Sequence, residues 1–207
     1  MASFPDKPYP SAGAYIAGYR EAMIEAWASV DLAAFDRAAA MLAEAIHAKR
    51  MIYACGNGGS AATSGHLLCD FLKGIQTDTM LRPRVVSLAS HLELITAIAN
   101  DISYEEIFAF QLRTMAAPGD VLITISASGN SENIVRAVDW AKANGVGTIA
   151  MTGFAGGRSA KIADINLHVA AENYGIVEDV HQSMMHAFAQ YLRQSAMAPG
   201  AHVSHRF

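Results

Sequence analysis

Residues 50–73, RMIYACGNGGSAATSGHLLCDFLK, decide the fold of this chain. The apolar run at 50–55 ends at a glycine cluster, which predicts a buried strand. The cluster GNGG at 56–59 lets the backbone turn sharply and approach a ligand closely, because glycine has no Cβ. Ser60 is the predicted N-cap of the helix that follows. Together these features direct free N–H groups and the positive end of a helix dipole at one point, which predicts an anion site.

A second strand and turn repeat this pattern. Residues 120–125 (DVLITI) are apolar, and SASGNS at 126–131 precedes a helical pattern that begins at Glu132. Its three hydroxyls, its glycine and the helix N-terminus supply hydrogen-bond donors without net charge. Neither turn has the P-loop spacing with its lysine, or the GxGxxG spacing of a dinucleotide site. Either turn alone also occurs for structural reasons, but two in one chain favour a site for a small phosphorylated sugar.

The composition limits the class of protein. Hydrophobic residues make up 52% of the 207 residues and charged residues 16%, which favours a single domain whose sheet is covered on both faces. The net charge of −4, with no basic stripe, argues against direct nucleic-acid binding. Two cysteines without a disulfide pattern, and an N-terminus without an apolar signal segment, predict a cytoplasmic protein. No apolar run reaches the ~18–20 residues of a membrane span.

Short apolar segments alternate with helical patterns along the chain. Strands are predicted at 50–55, 84–89, 120–125, 147–152 and 164–169, and the main helices at 14–30, 32–48, 132–144 and 176–195. Ser103 and Glu106 form a predicted capping box for a helix that ends near Ala116. This alternation predicts an α/β fold, a flavodoxin-like three-layer αβα sandwich around a five-stranded parallel sheet with added N-terminal helices. We assign residues 1–12 to an arm, 13–196 to one domain and 197–207 to a tail.

GNGGS followed by a helix, and a strand ending in SxSGNS, resemble the sugar isomerase (SIS) domain, and within it the phosphoheptose isomerase group. Supporting matches are AND at 99–101, TG at 152–153 with GG at 156–157, and EDVH at 178–181 leading to His186. The resemblance covers residues 15–195. It implies a homotetramer in which the helices at 14–48 contribute to the interface and the active site lies between subunits.

Two helices each offer a carboxylate and an imidazole. His66 and Asp70 are four residues apart and share a helix face. Glu178 and His186 are eight apart, about two turns, with Gln182 between them. This arrangement predicts either a metal site or an acid–base pair. Each residue alone also fits a surface pair or an ordinary core histidine.

The resemblance implies one zinc or other divalent metal per subunit, held at the positions of His66, Asp70, Glu178 and His186. The family has Glu at position 70 and Gln at position 178, so this chain departs from it twice. The implied reaction is the interconversion of sedoheptulose 7-phosphate and D-glycero-D-manno-heptose 7-phosphate through an enediol. Asp70 or Glu178 is the expected base and His186 the expected acid, while Asp179 and His181 are expected to orient the site.

Substrate contacts are implied at both turns and at the end of the helix near residue 100. Ser60, Ser126, Ser128 and Ser131 would hold the phosphate, and Asn57 and Asp101 the sugar hydroxyls. Ala127 stands where many relatives carry threonine. The full expected set is Asn57, Gly58, Gly59, Ser60, Asn100, Asp101, Ser126, Ala127, Ser128 and Ser131.

Other functions remain open from the sequence. The changes at Asp70 and Glu178 fit an isomerase that acts on another anionic sugar. A relative in the same subfamily binds the bacterial replication initiator without catalysis, but it lacks the histidine found here at position 186. A sugar-phosphate sensor would need a helix-turn-helix segment, for which 207 residues leave no room.

Overall fold

Five parallel strands in the order β2-β1-β3-β4-β5 form the centre of the molecule. This computed structural model describes residues 4–201. The strands are β1 Met51–Gly56, β2 Arg84–Ser87, β3 Val121–Ser126, β4 Gly147–Thr152 and β5 Ile165–His168. The predicted five-stranded parallel α/β fold is therefore confirmed.

Helices cover both faces of the sheet. They are α1 Ala12–Ala28, α2 Leu32–His47, α3 Gly59–Cys69, α4 Leu92–Asp101, α5 Ala109–Met115, α6 Glu132–Ala143, α7 Gly157–Ile162 and α8 Tyr174–Ala196. Side chains of β1 alternate between two cores, because successive residues of a strand point to opposite faces. Ile52 and Ala54 pack in the core that includes α2 and α8, whereas Tyr53 and Cys55 pack in the core that includes α5 and α6. Across residues 4–201, no helix combines the length and apolarity needed to cross a membrane.

The predicted N-cap at Ser60 is wrong. The helix α3 begins at Gly59, two residues earlier than a cap at Ser60 would place it, and its N-cap is Gly58, which has φ 55° and ψ −122°. Glycine adopts this positive φ readily, so the chain turns into the helix before it reaches Ser60. Ser60 consequently lies in the first helical turn, where it is buried.

The predicted capping box is also wrong. Ser103 makes no capping hydrogen bond, and residues 104–106 form a short 3₁₀ turn before α5 begins at Ala109. The Glu106 carboxylate instead accepts hydrogen bonds from Arg113 at 2.5 Å and Arg136 at 2.7 Å, which lower its pKa. Charge-assisted bonds to two guanidinium groups are stronger than a reciprocal bond to a backbone N–H.

The N-terminal arm packs on the domain from residue 4 onward. The Phe4 ring lies 4.8 Å from the ring of Tyr15 and 5.6 Å from that of Tyr19, and its carbonyl accepts a hydrogen bond from Asn173 at the start of α8. Burial of this aromatic ring anchors the arm to α1 and α8. In the predicted tail, residues 202–207, with both of its histidines, lie outside the described residues.

Candidate active site

The β1–α3 turn and the β3–α6 turn are held together by a pair of side-chain amides. Because β1 and β3 are neighbouring parallel strands, their carboxyl ends bring the two turns to the same edge of the sheet. Asn57 and Asn133 exchange two N–H···O bonds, each of 2.9 Å. Tyr104, in the 3₁₀ turn, donates its hydroxyl to Asn57 Oδ1 at 2.9 Å. The carboxamide of Asn57 is thus fixed in orientation by two residues that the sequence did not indicate.

The second turn is shaped by hydroxyl contacts within the loop. Ser126 Oγ accepts from the Gly129 N–H at 3.2 Å, and Ser128 Oγ accepts from the Asn130 N–H at 3.3 Å. The hydroxyl of Ser131 does not cap α6, which leaves it available to a ligand. The Ala127 carbonyl accepts from the Gly153 N–H, so this residue joins the turn to the end of β4.

Glycines allow the second turn to pack directly on the β4–α7 loop. Gly129 has φ +61°, and a Cβ built there would lie 2.0 Å from the carbonyl oxygen of Gly156. A Cβ at Gly157 would lie 2.4 Å from the carbonyl oxygen of Ser128. Backbone therefore contacts backbone, and no larger residue fits at either position without movement.

His66, Asp70 and His186 come together between α3 and α8. His186 Nδ1 lies 2.6 Å from Asp70 Oδ2, and His66 Nε2 lies 3.5 Å from Asp70 Oδ1. The two imidazole rings meet edge to face, with centroids 4.8 Å apart. The terminal nitrogen of Gln182 lies 3.0 Å from His66 Nδ1 and 3.1 Å from His186 Nε2.

A short π-helical segment sets the position of Asp70 relative to α8. The helix widens at Asp70–Gly74, a π-helical segment in which the N–H of Ile75 bonds to the carbonyl of Asp70. The loop beyond it is tied to α8, because Arg193 donates to the carbonyl of Thr77 at 3.0 Å and pairs with Asp78 at 2.7 Å. The π-segment is therefore held against the helix that carries His186.

The donor set fits a divalent cation. Ligand atoms of His66, Asp70 and His186 all lie within 4.8 Å of one another. Two imidazole nitrogens and a carboxylate oxygen are typical zinc ligands. The side chains remain 25–48% exposed, so the group is open to solvent and to a substrate.

Glu178 does not join this group among the described residues. Its carboxylate packs against the first turn of α3, where a Cβ at Gly59 would lie 2.7 Å from Glu178 Oε2. A negative charge at a helix N-terminus is stabilised by the helix dipole. The glycine at position 59 therefore makes room for a carboxylate beside the candidate phosphate turn.

Comparison with known proteins shows the family. The SIS domain model matches residues 15–153. The chain is 34% identical to a phosphoheptose isomerase of Alteromonas mediterranea over 163 residues, 77% of this chain and 82% of that protein. It is 37% identical to one of Mycobacterium bovis over 150 residues, 72% of this chain and 75% of that protein. The chain belongs to the SIS domain family, in its phosphoheptose isomerase group.

Solved structures of two phosphoheptose isomerases agree with this family assignment. The phosphoheptose isomerase GmhA of Neisseria gonorrhoeae superposes with a TM-score of 0.81 at 29% identity, covering 89% of this chain and 100% of that one. A phosphoheptose isomerase of Francisella tularensis gives 0.82 at 27% identity, covering 89% and 99%. The SIS fold thus accounts for nearly the whole of the described chain.

Several residues expected from the SIS resemblance make other contacts. His181 is fully buried, and its Nε2 lies 3.2 Å from the carbonyl oxygen of Thr152 at the end of β4. Burial lowers the pKa of this histidine to about 4, so it is neutral. Asp179 accepts a 2.6 Å hydrogen bond from Tyr19 on α1. Asn100 donates to Asp101 at 2.7 Å, and both lie exposed at the end of α4.

Proposed function

We propose that this phosphosugar isomerase interconverts sedoheptulose 7-phosphate and D-glycero-D-manno-heptose 7-phosphate. The observation that carries the proposal is the group His66, Asp70 and His186 on the two helices α3 and α8. The helix α3 begins at the glycine turn, so one helix links the candidate anion site to the candidate acid–base group. The names of the similar proteins indicate a phosphorylated heptose, and the particular pair of sugars is the one that the SIS resemblance implies.

In this proposal the two turns hold the phosphate. The first turns of α3 and α6 offer backbone N–H groups and dipoles to an anion. Ser60, Ser128 and Ser131 add hydroxyl donors. The Asn57 carboxamide is fixed by Asn133 and Tyr104: its oxygen accepts two hydrogen bonds, and its NH₂ group donates one N–H to Asn133, which leaves the second N–H for a sugar hydroxyl.

Aldose–ketose isomerisation moves one proton between neighbouring carbons and a second between their oxygens. A base takes the proton from the carbon beside the carbonyl to give an enediol, and a proton then returns to the neighbouring carbon. We assign His186 as the acid, because the Asp70 carboxylate that accepts from Nδ1 favours the imidazolium form, whose Nε2–H is the proton given to the sugar. Glu178 and Asp70 are the candidate bases. Glu178 lies beside the phosphate turn, whereas both oxygens of Asp70 contact imidazoles.

A zinc or similar divalent ion, one per subunit, fits the same group. It would be held by His66 and His186 with Asp70 in contact with both rings. When bound, such an ion polarises carbonyl and hydroxyl oxygens of a sugar as a Lewis acid.

The test is an isomerase assay with sedoheptulose 7-phosphate on the wild type and on His186→Gln, Glu178→Gln and Asp70→Asn. Loss of general acid–base catalysis lowers kcat by roughly 10²–10⁴-fold. A folded His186→Gln protein with the wild-type rate would refute the acid role. Wild-type protein that converts no sugar and holds no metal would instead favour the non-catalytic binder of the replication initiator.

The second candidate is an isomerase of another anionic sugar. Asp70 and Glu178 both depart from the residues expected at those positions, and together they change the shape and charge around the donor group. The same assay with five- and six-carbon sugar phosphates separates this candidate from the first. A higher kcat/KM for one of these sugars than for sedoheptulose 7-phosphate would decide in its favour.

We also propose a homotetramer with the site between subunits. The N-terminal helices expose Ile16, Ile24 and Leu32 by 61%, 64% and 70%, respectively. Apolar side chains exposed on adjacent helices support an interface there. A single-subunit mass of 22.0 kDa by light scattering would contradict it. Cytoplasmic location stays a prediction of the sequence.

A further inference from the structure

Gln182 lies between the two imidazoles of the candidate active site. Its terminal nitrogen is 3.0 Å from His66 Nδ1 and 3.1 Å from His186 Nε2, although the two histidines belong to different helices. Asp70 touches the other nitrogen of each ring, at 3.5 Å from His66 Nε2 and 2.6 Å from His186 Nδ1. Each ring therefore presents one nitrogen to Asp70 and the other to Gln182.

The contact with Asp70 fixes where the lone pair of His186 points. The 2.6 Å contact between His186 Nδ1 and an Asp70 oxygen is a hydrogen bond, so Nδ1 carries the proton and Nε2 the lone pair of the neutral ring. A metal-binding histidine typically donates its other N–H to a carboxylate in this way. The Nε2 atom of His186 is thus prepared for a cation on the side that faces Gln182, and Nδ1 of His66 lies on that same side.

We propose that the carboxamide oxygen of Gln182 is a metal ligand together with His66 and His186, and that Asp70 orients both rings from outside the ligand set. This inference rests on the metal of the proposed function, and in the metal-bound form it replaces the acid role of His186, because Nε2 would then be a ligand. Without metal, the Gln182 NH₂ group donates to both rings. A half turn about the last torsion, which is soft in glutamine, exchanges that nitrogen for the oxygen. Three protein ligands leave a fourth position open, as in catalytic zinc sites.

Helix geometry explains why Gln182 rather than Glu178 reaches the histidines. At 3.6 residues per turn, a four-residue step rotates a side chain by about 40° and an eight-residue step by about 80°. Gln182 therefore lies near the direction of His186, whereas Glu178 is rotated away. The structure shows the outcome, because the Glu178 carboxylate packs against Gly59 and lies apart from the histidine group.

The experiment measures Zn²⁺ and Co²⁺ affinity by chelator competition, with the visible spectrum of the cobalt form as a second readout. Gln182→Leu keeps the approximate size of the side chain and removes the oxygen. Gln182→Glu keeps an oxygen donor. The controls are Glu178→Gln and Gln194→Leu, an exposed position three turns further along the same helix.

We expect Gln182→Leu to weaken metal binding more than tenfold and to shift the cobalt bands, Gln182→Glu to restore binding, and both controls to bind as the wild type does. Asp70→Asn should weaken binding while leaving the cobalt band positions unchanged. Equal or tighter binding by Gln182→Leu would show that the amide only competes for the lone pairs, and would overturn the inference. An equal loss in Glu178→Gln, or wild-type protein that binds neither metal, would overturn it too.

The outcome is independent of the proposed reaction. Wild-type protein that binds metal through Gln182 but converts no sugar phosphate would leave this inference standing and refute the proposed function. An active enzyme that binds no metal would support the proposed function and overturn this inference.

Discussion

Replacement of Gly129 by alanine tests whether the second turn depends on backbone-to-backbone packing. An alanine at φ +61° costs about 1–2 kcal/mol, because its Cβ crowds the neighbouring carbonyl in the left-handed conformation. That Cβ would also lie 2.0 Å from the Gly156 carbonyl oxygen, so the loops must separate by about an ångström. Overpacking of this kind costs about 1–3 kcal/mol. We expect Gly129→Ala to lower the free energy of unfolding by about 3 kcal/mol in total and, for a chain of this size, to lower the Tm by about 6–12 °C.

Substitutions at two other glycines separate the cost of backbone strain from the cost of the clash with Gly156. Gly58 has φ +55° with nothing within 4 Å of a built Cβ, so Gly58→Ala carries the strain alone. Gly65 lies inside α3, also with open space and with ordinary helical geometry, so Gly65→Ala should stabilise by up to about 1 kcal/mol.

The assay is thermal unfolding followed by circular dichroism on the three variants and the wild type. The expected order of Tm is Gly65→Ala above wild type, then Gly58→Ala, then Gly129→Ala. If Gly129→Ala unfolds at the same temperature as Gly58→Ala, the contact with Gly156 does not constrain the turn and the reasoning fails.

Two more predictions concern residues around the site. Tyr104→Phe removes only the hydroxyl that donates a hydrogen bond to Asn57, so kcat/KM should fall about 2–10-fold. Because Tyr104 is 53% exposed, the Tm should stay within about 2 °C of the wild type. An unchanged kcat/KM would show that Asn57 does not need this hydrogen bond. His181 has a pKa near 4 when folded and near 6.5 when unfolded, so the unfolded chain binds more protons between these values. Its contribution to stability is complete above pH 6.5 and is lost as the pH falls toward 4, at roughly 1.4 kcal/mol per pH unit. Urea unfolding of wild type and His181→Gln from pH 7 to 4 checks this, and equal slopes in the two proteins would contradict it.

The sheet could be predicted from sequence because its signals are local. Each strand lies in a short, largely apolar run, in four of the five cases beside glycine or proline, and each observed strand lies within its predicted segment or one residue beyond it. The relation of His66 to Asp70 follows from helix periodicity in the same way. Local patterns also explain the two errors, since Ser60 and Ser103 both stand at sequence positions typical of N-caps. In the structure Gly58 caps α3 instead of Ser60, and Glu106 pairs with arginines instead of completing a capping box.

The rest of the site depends on contacts between distant parts of the chain. Asn133 and Tyr104 are recognisable only once β1 and β3 are paired, and no local pattern marks either. The π-helical turn at Asp70 leaves no recognisable signal in the sequence, yet it sets where that carboxylate meets His186. Spacing suggested a common face for Glu178 and His186, but two turns of helix accumulate enough rotation to separate them.

The amide pair between Asn57 and Asn133 has a consequence for how the protein is made. The two residues are 76 positions apart, and β3, the strand that leads to Asn133, pairs with β1 on one side and β4 on the other. Contacts of such long sequence separation form late, because the loop must close before they stabilise anything. On the ribosome, the N-terminal half can fold its first strand and helix, but the phosphate turns stay apart until residue 133 has emerged. Nascent chains stalled before that residue should therefore bind no sugar phosphate.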